Sequence, residues 1–321
     1  MAVPTGTFKS YEAVGNREDL ADIIYDVSPT QTPLMSNIKR GSCSSKFHEW
    51  QTDSLDAATA SNKTLEGDDA TTNTASATVR IANYTQLADK VARVSSSQEA
   101  IDKAGRKSEM SYQMMKRSKE LKRDIETTIC GSQAADGGSA ATARACGGLG
   151  VFIWNNQTKT GDTQTTVTVT SGAPTTAPTA GTANTFTETH LKTTLQACWN
   201  DGGEPNMVLV GGHNKTIASA FSGIATQYRD NPQAGPATII GAADVYVSDF
   251  GTVNIVPSRF TDLDTVYVID TSTLELRYLQ PISQEPLAKT GHSDRRMISA
   301  EFTLRVNSPE ANGKIYSVTT S

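Results

Sequence analysis

The sequence predicts an α+β protein with thin cores. Helix-like and strand-like segments are mixed without the regular alternation of a doubly wound sheet, which indicates the α+β class. Of the 321 residues, 37% are hydrophobic, enough for true cores, but only 6% are aromatic. Threonine, alanine, glycine and serine are abundant. We therefore expect much extended or loop structure, and cores that need help from neighbouring molecules.

The first 45 residues predict an extended arm. They show little periodicity, and a short helix is expected only around 18–25. Pro29 and Pro33 each bias the preceding residue away from helix, so SPTQTPLMSNI indicates a turn within the arm.

Residues 46–94 predict a long β-hairpin. Two strand-like segments, 46–55 and 77–94, flank a polar, glycine-containing stretch. The acidic residues of that stretch are Glu66, Asp68 and Asp69. The first strand mixes polar and apolar side chains on both faces, whereas a strand packed on its own core usually alternates. A hairpin that cannot bury itself is expected to project.

Segment 96–130 predicts one long helix. Ser96 followed by Glu99 has the spacing of a capping box, and Gly131 offers a stop. Apolar residues recur at helical spacing, at Met110, Met114, Leu121, Ile125 and Ile129. Such a helix would be about 50 Å long, and we expect it to serve as a spine across the subunit. The basic residues around its apolar stripe are Lys116, Arg117, Lys119, Lys122 and Arg123.

The remainder predicts an insertion, an α/β block and closing strands. The threonine-rich stretch 158–187 is of low complexity and is expected to be an exposed loop. Helices are then predicted in ETHLKTTLQACWNDGG and NKTIASAFSGI, and strands in MVLVGG, DVYVSD, TVNIVPS and TVYVID. The last 50 residues return to β patterning, notably in MISAEFTLRV and KIYSV.

Charge and cysteine usage exclude several classes of protein. A net charge of −5 argues against a general grip on nucleic-acid phosphates. The N-terminal sequence lacks a signal-peptide core, and no apolar run approaches the ~18 residues of a membrane span, which predicts a chain made and used in a cytoplasm. The scattered cysteines predict free structural thiols rather than disulfides or zinc ligands; they are Cys43, Cys130, Cys146 and Cys198.

No catalytic, metal or cofactor site is predicted. His48 and Glu49 begin an H-E pair, but position 52 is threonine where a zinc protease needs histidine, and a strand directs the pair to opposite faces. The stretch VLVGGHNKT at 208–216 lacks the glycine that precedes lysine in a phosphate loop, which favours a plain strand-to-helix turn. None of the four histidines lies in a nucleophile motif.

Several stretches, in order, resemble the major capsid proteins of tailed phages. SPTQTPLMSNIKR followed by KFHEWQTDSL resembles the start of one such family, in which an arm ending in a T-P pair leads into an E-W strand. GGEPNMVLVGGHNKTI and VYVSDFGTVNIVPSR resemble its axial domain. PLAKTGHSDRRMISAEFTLRVNSPEANGKIYSV resembles its C-terminal region, so the likeness covers most of the chain.

The resemblance implies the tailed-phage major capsid fold. Its parts would be an N-terminal arm (1–45), an extended β-hairpin loop (46–94), a peripheral domain with the spine helix (95–157), the insertion (158–187), an axial domain (188–270) and closing, mainly peripheral strands (271–321). It also implies pentamers and hexamers that form an icosahedral virion shell around double-stranded DNA, without sequence-specific binding. The implied partners are scaffold, portal and decoration proteins. Assembly would occur in the host bacterial cytoplasm. Neither a membrane nor a cofactor is expected.

Charge and exposure together predict a contact between subunits. The hairpin has no core of its own, so we expect it to lie over an adjacent subunit, with its acidic tip near the basic helix surface. Trp50 is expected to have the largest area to bury there. The contact residues predicted are Trp50, Glu66, Asp68, Asp69, Lys116, Arg117, Lys119, Lys122 and Arg123.

Three other functions compete with a phage shell. An encapsulin-like bacterial nanocompartment would share the fold. A threonine-rich adhesion protein would need a signal peptide that the sequence does not show. A soluble hydrolase would need a nucleophile and base that the motifs do not supply.

Overall fold

The computed structural model of the chain describes residues 31–69, 76–103, 105–159, 167–179, 181–221 and 244–321. Residues 1–30, with most of the predicted arm (1–45) and its short helix, lie outside the described residues, as does the part of the hairpin tip at 70–75. The described end of the arm is not simply extended: Pro33–Asn37 is helical, with Leu34 and Met35 buried, and Lys39–Ser42 is a strand paired in a sheet. The described helices are α1 (Pro33–Asn37), α2 (Ser96–Ala100), α3 (Glu109–Cys130), α4 (Leu149–Phe152), α5 (Glu188–Asn200) and α6 (Gly212–Ser219).

The described strands form two larger sheets and two small ones. They are β1 (Lys39–Ser42), β2 (Phe47–Thr52), β3 (Val79–Tyr84), β4 (Gln86–Ser95), β5 (Asn156–Lys159), β6 (Val169–Thr170), β7 (Ala173–Pro174), β8 (Met207–Val210), β9 (Val245–Ser248), β10 (Gly251–Pro257), β11 (Thr265–Ile269), β12 (Leu274–Pro286), β13 (Ser293–Val306) and β14 (Gly313–Tyr316). The four-stranded sheet has the order β1-β12-β13-β4, and the six-stranded sheet has the order β5-β14-β11-β8-β10-β9. This mixture confirms the predicted α+β class.

Helix α3 covers one face of the four-stranded sheet. Its apolar stripe is buried as predicted, at Met110, Met114, Leu121, Ile125 and Ile129. Alternate residues of β4 and β13, including Ala92, Val94, Phe302 and Leu304, belong to the same core cluster. Side chains spaced at the helical period on α3 thus pack against side chains at every second position of the strands, and together they form one core.

The prediction of one continuous helix over 96–130 is wrong. Helix α2 ends at Ala100, and eight residues separate it from the start of α3 at Glu109; among them, Gly105 adopts φ 75°. Ser108 caps α3 by accepting the Ser111 N–H, and Glu99 accepts the N–H groups of the first two residues of α3. Glu99 therefore caps the second helix rather than the first. At 22 residues, α3 is about 33 Å long.

The six-stranded sheet confirms the predicted α/β block and extends it. Val208 and Val268 face the core shared with α5 and α6, whereas Leu209 and Tyr267 face the core shared with α3 and α4. The turn at 208–216 is the predicted strand-to-helix connection. Strands β5 and β14, from outside the block, complete the sheet.

The threonine-rich insertion is not simply an exposed loop. Ala173 is buried, and the Ala82 N–H of β3 donates to the Gly172 carbonyl at 2.9 Å. Gly172 has φ +85°, and a Cβ there would lie 2.6 Å from the Arg80 carbonyl oxygen, so the close approach requires glycine. The insertion therefore supports the hairpin from one side.

All four cysteines are free, as predicted, and three of them are buried. None of the described helices combines the length and the apolarity that crossing a membrane would require.

Candidate intersubunit surface

The hairpin stem, β2 with β3, is shorter than predicted. The two strands pair antiparallel from Phe47 opposite Tyr84 to Thr52 opposite Val79. At Thr85 the chain leaves the stem, and β4 joins β13 in the four-stranded sheet. The Thr85 hydroxyl donates to the buried Glu301 carboxylate at 2.6 Å, which fixes this change of sheet. The predicted return strand 77–94 is thus two strands in two sheets.

Trp50 lies inside the core of its own subunit. This corrects the expectation that Trp50 buries the largest area against an adjacent subunit. Its side chain is 6% exposed, and its indole N–H donates to the Val306 carbonyl at 2.8 Å. Its ring packs against Phe152, with centroids 6.0 Å apart, and the Arg305 guanidinium lies 5.9 Å from the Trp50 ring centroid. The indole attaches the stem to the body of its own subunit.

His48 and Glu49 do not form a site, in agreement with their predicted opposite faces. His48 lies beside Trp50 under the stem, whereas Glu49 pairs with Arg80 across it at 3.2 Å. The pairing with Arg80 places Glu49 on the exposed side of the stem.

Beyond the stem, the chain forms a loop without burial. Every residue of the described segment 53–69, which we call the hairpin loop, is exposed. Leu55 is 99% exposed and Leu65 is 79% exposed. Glu66 follows Leu65 directly, and Asp68 lies three residues after Leu65. Another molecule that covered this loop would remove the two leucines from water, which would lower the free energy of the complex.

The five basic residues of α3 are not equivalent. Lys116 and Lys122 are exposed, while Lys119 is half-buried. Arg117 pairs with Glu120 at 2.6 Å, and Arg123 lies over the Phe260 ring at 5.3 Å from its centroid. The two exposed lysines are the cations of this helix best placed to meet a neighbour.

A buried carboxylate holds α1 against α3, and sequence reasoning missed it. Glu126 is fully buried and accepts the N–H groups of Leu34 and Met35 at 2.7 and 2.8 Å. Burial raises the pKa of Glu126, and the two N–H donors partly oppose that shift. Its position beside Ile125, within the apolar stripe, was the signal that could have identified it.

A second buried polar cluster joins the end of α3 to the six-stranded sheet. The Ser132 hydroxyl donates to Asp262 at 2.6 Å, and Tyr267 contacts the same carboxylate oxygen at 3.3 Å. Nearby, Lys314 is 1% exposed and donates to the Gly150 carbonyl at 2.7 Å. Burial lowers the pKa of Lys314 to about 8. These groups fix the end of α3 and helix α4 against the six-stranded sheet.

Comparison with known proteins agrees with this geometry. A family model described as SU10 major capsid protein matches residues 3–319. This chain belongs to the SU10 major capsid protein family. The major capsid protein of Escherichia phage Phieco32 is 27% identical over 354 residues, covering 98% of each chain. The chain is therefore a structural phage capsid protein and not an enzyme.

Solved structures show the fold of this major capsid protein in relatives of low identity. The Cyanophage A-1(L) capsid asymmetric unit matches with a TM-score of 0.66 at 11% identity, covering 98% of this chain and 99% of that one. The holo-SrpI encapsulin complex from Synechococcus elongatus PCC 7942 matches with a TM-score of 0.53 at 11% identity, covering 95% and 93%. The fold confirms the predicted tailed-phage capsid architecture, and the family match favours a phage capsid over the encapsulin alternative.

Proposed function

We propose that this major capsid protein forms the pentamers and hexamers of an icosahedral head that encloses double-stranded DNA. The observation that carries the proposal is the exposed hairpin loop, which has no partner surface in the described part of its own chain, on a subunit of a capsid family. The net charge of −5 suits a container that must not grip the DNA it encloses. The head would be assembled in the host cytoplasm with scaffold, portal and decoration proteins.

The domain roles follow the same proposal. Residues 95–157 and most of the closing strands would form the peripheral domain, and 188–270 would form the axial domain at the centre of each capsomer. Membership of the particular capsid-protein family in which an E-W strand follows a T-P arm remains a prediction for this chain.

Electron microscopy of the protein expressed alone, after negative staining, tests the assembly. We expect uniform closed hollow particles, because the exposed loop and thin cores favour burial between copies. A chain that stays strictly monomeric across a range of salt concentration, pH and protein concentration would contradict the proposal.

We further propose that the hairpin loop lies over α3 of an adjacent subunit. Glu66, Asp68 and Asp69 would approach Lys116 and Lys122, with the half-buried Lys119, Arg117 and Arg123 beside them. Met115, 54% exposed next to Lys116, offers an apolar surface for Leu65. A single exposed charge pair contributes about 0–1 kcal/mol, but a shell repeats each pair many times.

Charge reversal at both ends of this contact gives a prediction. Replacing Glu66, Asp68 and Asp69 with lysine should lower the yield of particles, because the reversed loop meets like charge. Adding Lys116→Glu and Lys122→Glu should restore part of that yield. Sedimentation of assembled against unassembled protein measures both effects, and the loss should diminish at high salt.

A matched variant controls for net charge. Replacing the exposed Asp201, Glu204 and Asp249 with lysine makes the same change in charge on the side of the six-stranded sheet. Its particle yield should stay closer to that of the unmodified protein. Failure of the lysine reversals to restore any particle yield would contradict the contact.

A further inference from the structure

His48 occupies an incompletely bonded position beneath the hairpin stem. It lies on the same side of β2 as Trp50, with ring centroids 5.8 Å apart. Its Nε2 atom is shielded from solvent and has no hydrogen-bond partner among the residues that the structure describes. A neutral imidazole can keep its single proton on Nδ1, whereas an imidazolium must also carry one on Nε2. Protonation would therefore create a buried donor without an acceptor.

The surface under His48 is already positive. The Arg305 guanidinium of β13 lies 5.9 Å from the centroid of the neighbouring Trp50 ring. Arg305 and Arg277 of β12 disfavour a positive charge on His48, whereas Glu275 of β12 favours one. Glu275 lies 2.5 Å from the Arg277 guanidinium and 3.8 Å from that of Arg305, so it is shared between them. Two guanidinium groups and one carboxylate leave a positive balance, which opposes a further cation.

The other ionisable groups near this face do not change that balance. Cys43, at the end of β1, is half-buried, and burial raises the pKa of its thiol, which keeps it neutral. Glu301 of β13 pairs with Arg144 at 2.6 Å and accepts the Thr85 hydroxyl. Its charge is thus matched by a partner of its own.

We propose that the hairpin stem is held by a proton-sensitive latch, in which protonation of His48 against Arg277 and Arg305 weakens the docking of β2 on the four-stranded sheet. Burial, Arg277 and Arg305 lower the pKa of His48 below its ordinary 6.5, and Glu275 opposes them. A lowered pKa in the docked state means that the docking is fully stable above 6.5 and is lost as pH falls through the lowered value.

The latch would regulate the orientation of the hairpin loop, which is a property beyond the proposed shell function. Because β2 carries both His48 and Trp50, a weakened stem frees the segment that leads directly into residues 53–69. The latch belongs to a single subunit, so it can be tested without assembly, and its failure would leave the proposed shell function intact.

Hydrogen exchange on the unassembled full-length subunit tests the latch. Protection of peptides covering 47–52 and 79–84 is measured between pH 7.5 and 5.0, after correction for intrinsic exchange rates. We expect the protection to fall by roughly threefold or more with acid, because docking is linked to proton uptake. A peptide covering β11 should keep its protection. A flat profile for the stem would overturn the proposal.

Variants assign the effect to its residue. In His48→Gln the fall in stem protection should disappear, whereas in the control His292→Gln, at an exposed histidine, it should remain. Arg277→Gln removes one of the opposing charges and should make the fall smaller than in the unmodified protein. An unchanged fall in His48→Gln would overturn the latch; if that variant does not fold, an equal or larger fall in Arg277→Gln would do so.

Discussion

Trp50→Ala is expected to lower the free energy of unfolding of the isolated subunit by about 3–5 kcal/mol. The substitution removes a large buried side chain that packs on Phe152, and it leaves the Val306 carbonyl without its donor. Both losses act within one chain, so chemical denaturation of unassembled protein measures them. Trp50→Phe keeps an aromatic ring but loses the hydrogen bond, and it should be destabilised by less.

Trp199→Ala is the matched control, because Trp199 is 54% exposed on α5. Its effect on unfolding of the isolated subunit should stay below about 1 kcal/mol. The expectation drawn from the sequence, that Trp50 is buried between subunits, leads to a different result. It requires a subunit of normal stability that fails to assemble, and that outcome would contradict the core position of Trp50.

The stem shows why the sequence predicted the hairpin but not its docking. Alternation in β2 is poor because Trp50 alone of its six residues is fully buried. A single anchoring residue produces no periodic signal, so a mixed strand looks unsupported. The partner of the indole, the Val306 carbonyl, lies 256 residues away and is set by tertiary packing.

Local sequence signals predicted α3 and the α/β block, whereas long-range contacts could not be predicted in this way. The apolar stripe of α3 and the α/β block were predictable because their periodicity is strong. The break before α3 was also visible, since Gly105 and Ser108 form a stop and a cap, but the continuing helical pattern outweighed them. The support from the insertion depends on Gly172 approaching β3, a long-range contact that composition does not reveal.

Lys314→Met is expected to change how stability depends on pH. Lys314 has a pKa of about 8 in the folded chain and an ordinary value of 10.5. Below pH 8 both states hold the proton, and the folded state carries the full penalty of a buried cation. Between pH 8 and 10.5 the unfolded chain binds more protons than the folded one, so stability rises with pH. The gap of 2.5 between the two values corresponds to about 3 kcal/mol.

The difference in unfolding free energy between the two proteins isolates this effect. Tyr267 and Cys130 also titrate in alkali, and burial raises the pKa of each, but both residues are present in both proteins. The unmodified protein should therefore gain most of about 3 kcal/mol relative to Lys314→Met between pH 7 and 10.5. Lys289→Met, at an exposed lysine, should show a constant difference. If the difference for Lys314→Met were also constant, Lys314 would carry the same charge in both states, and the polar cluster would not exclude water from its ammonium group.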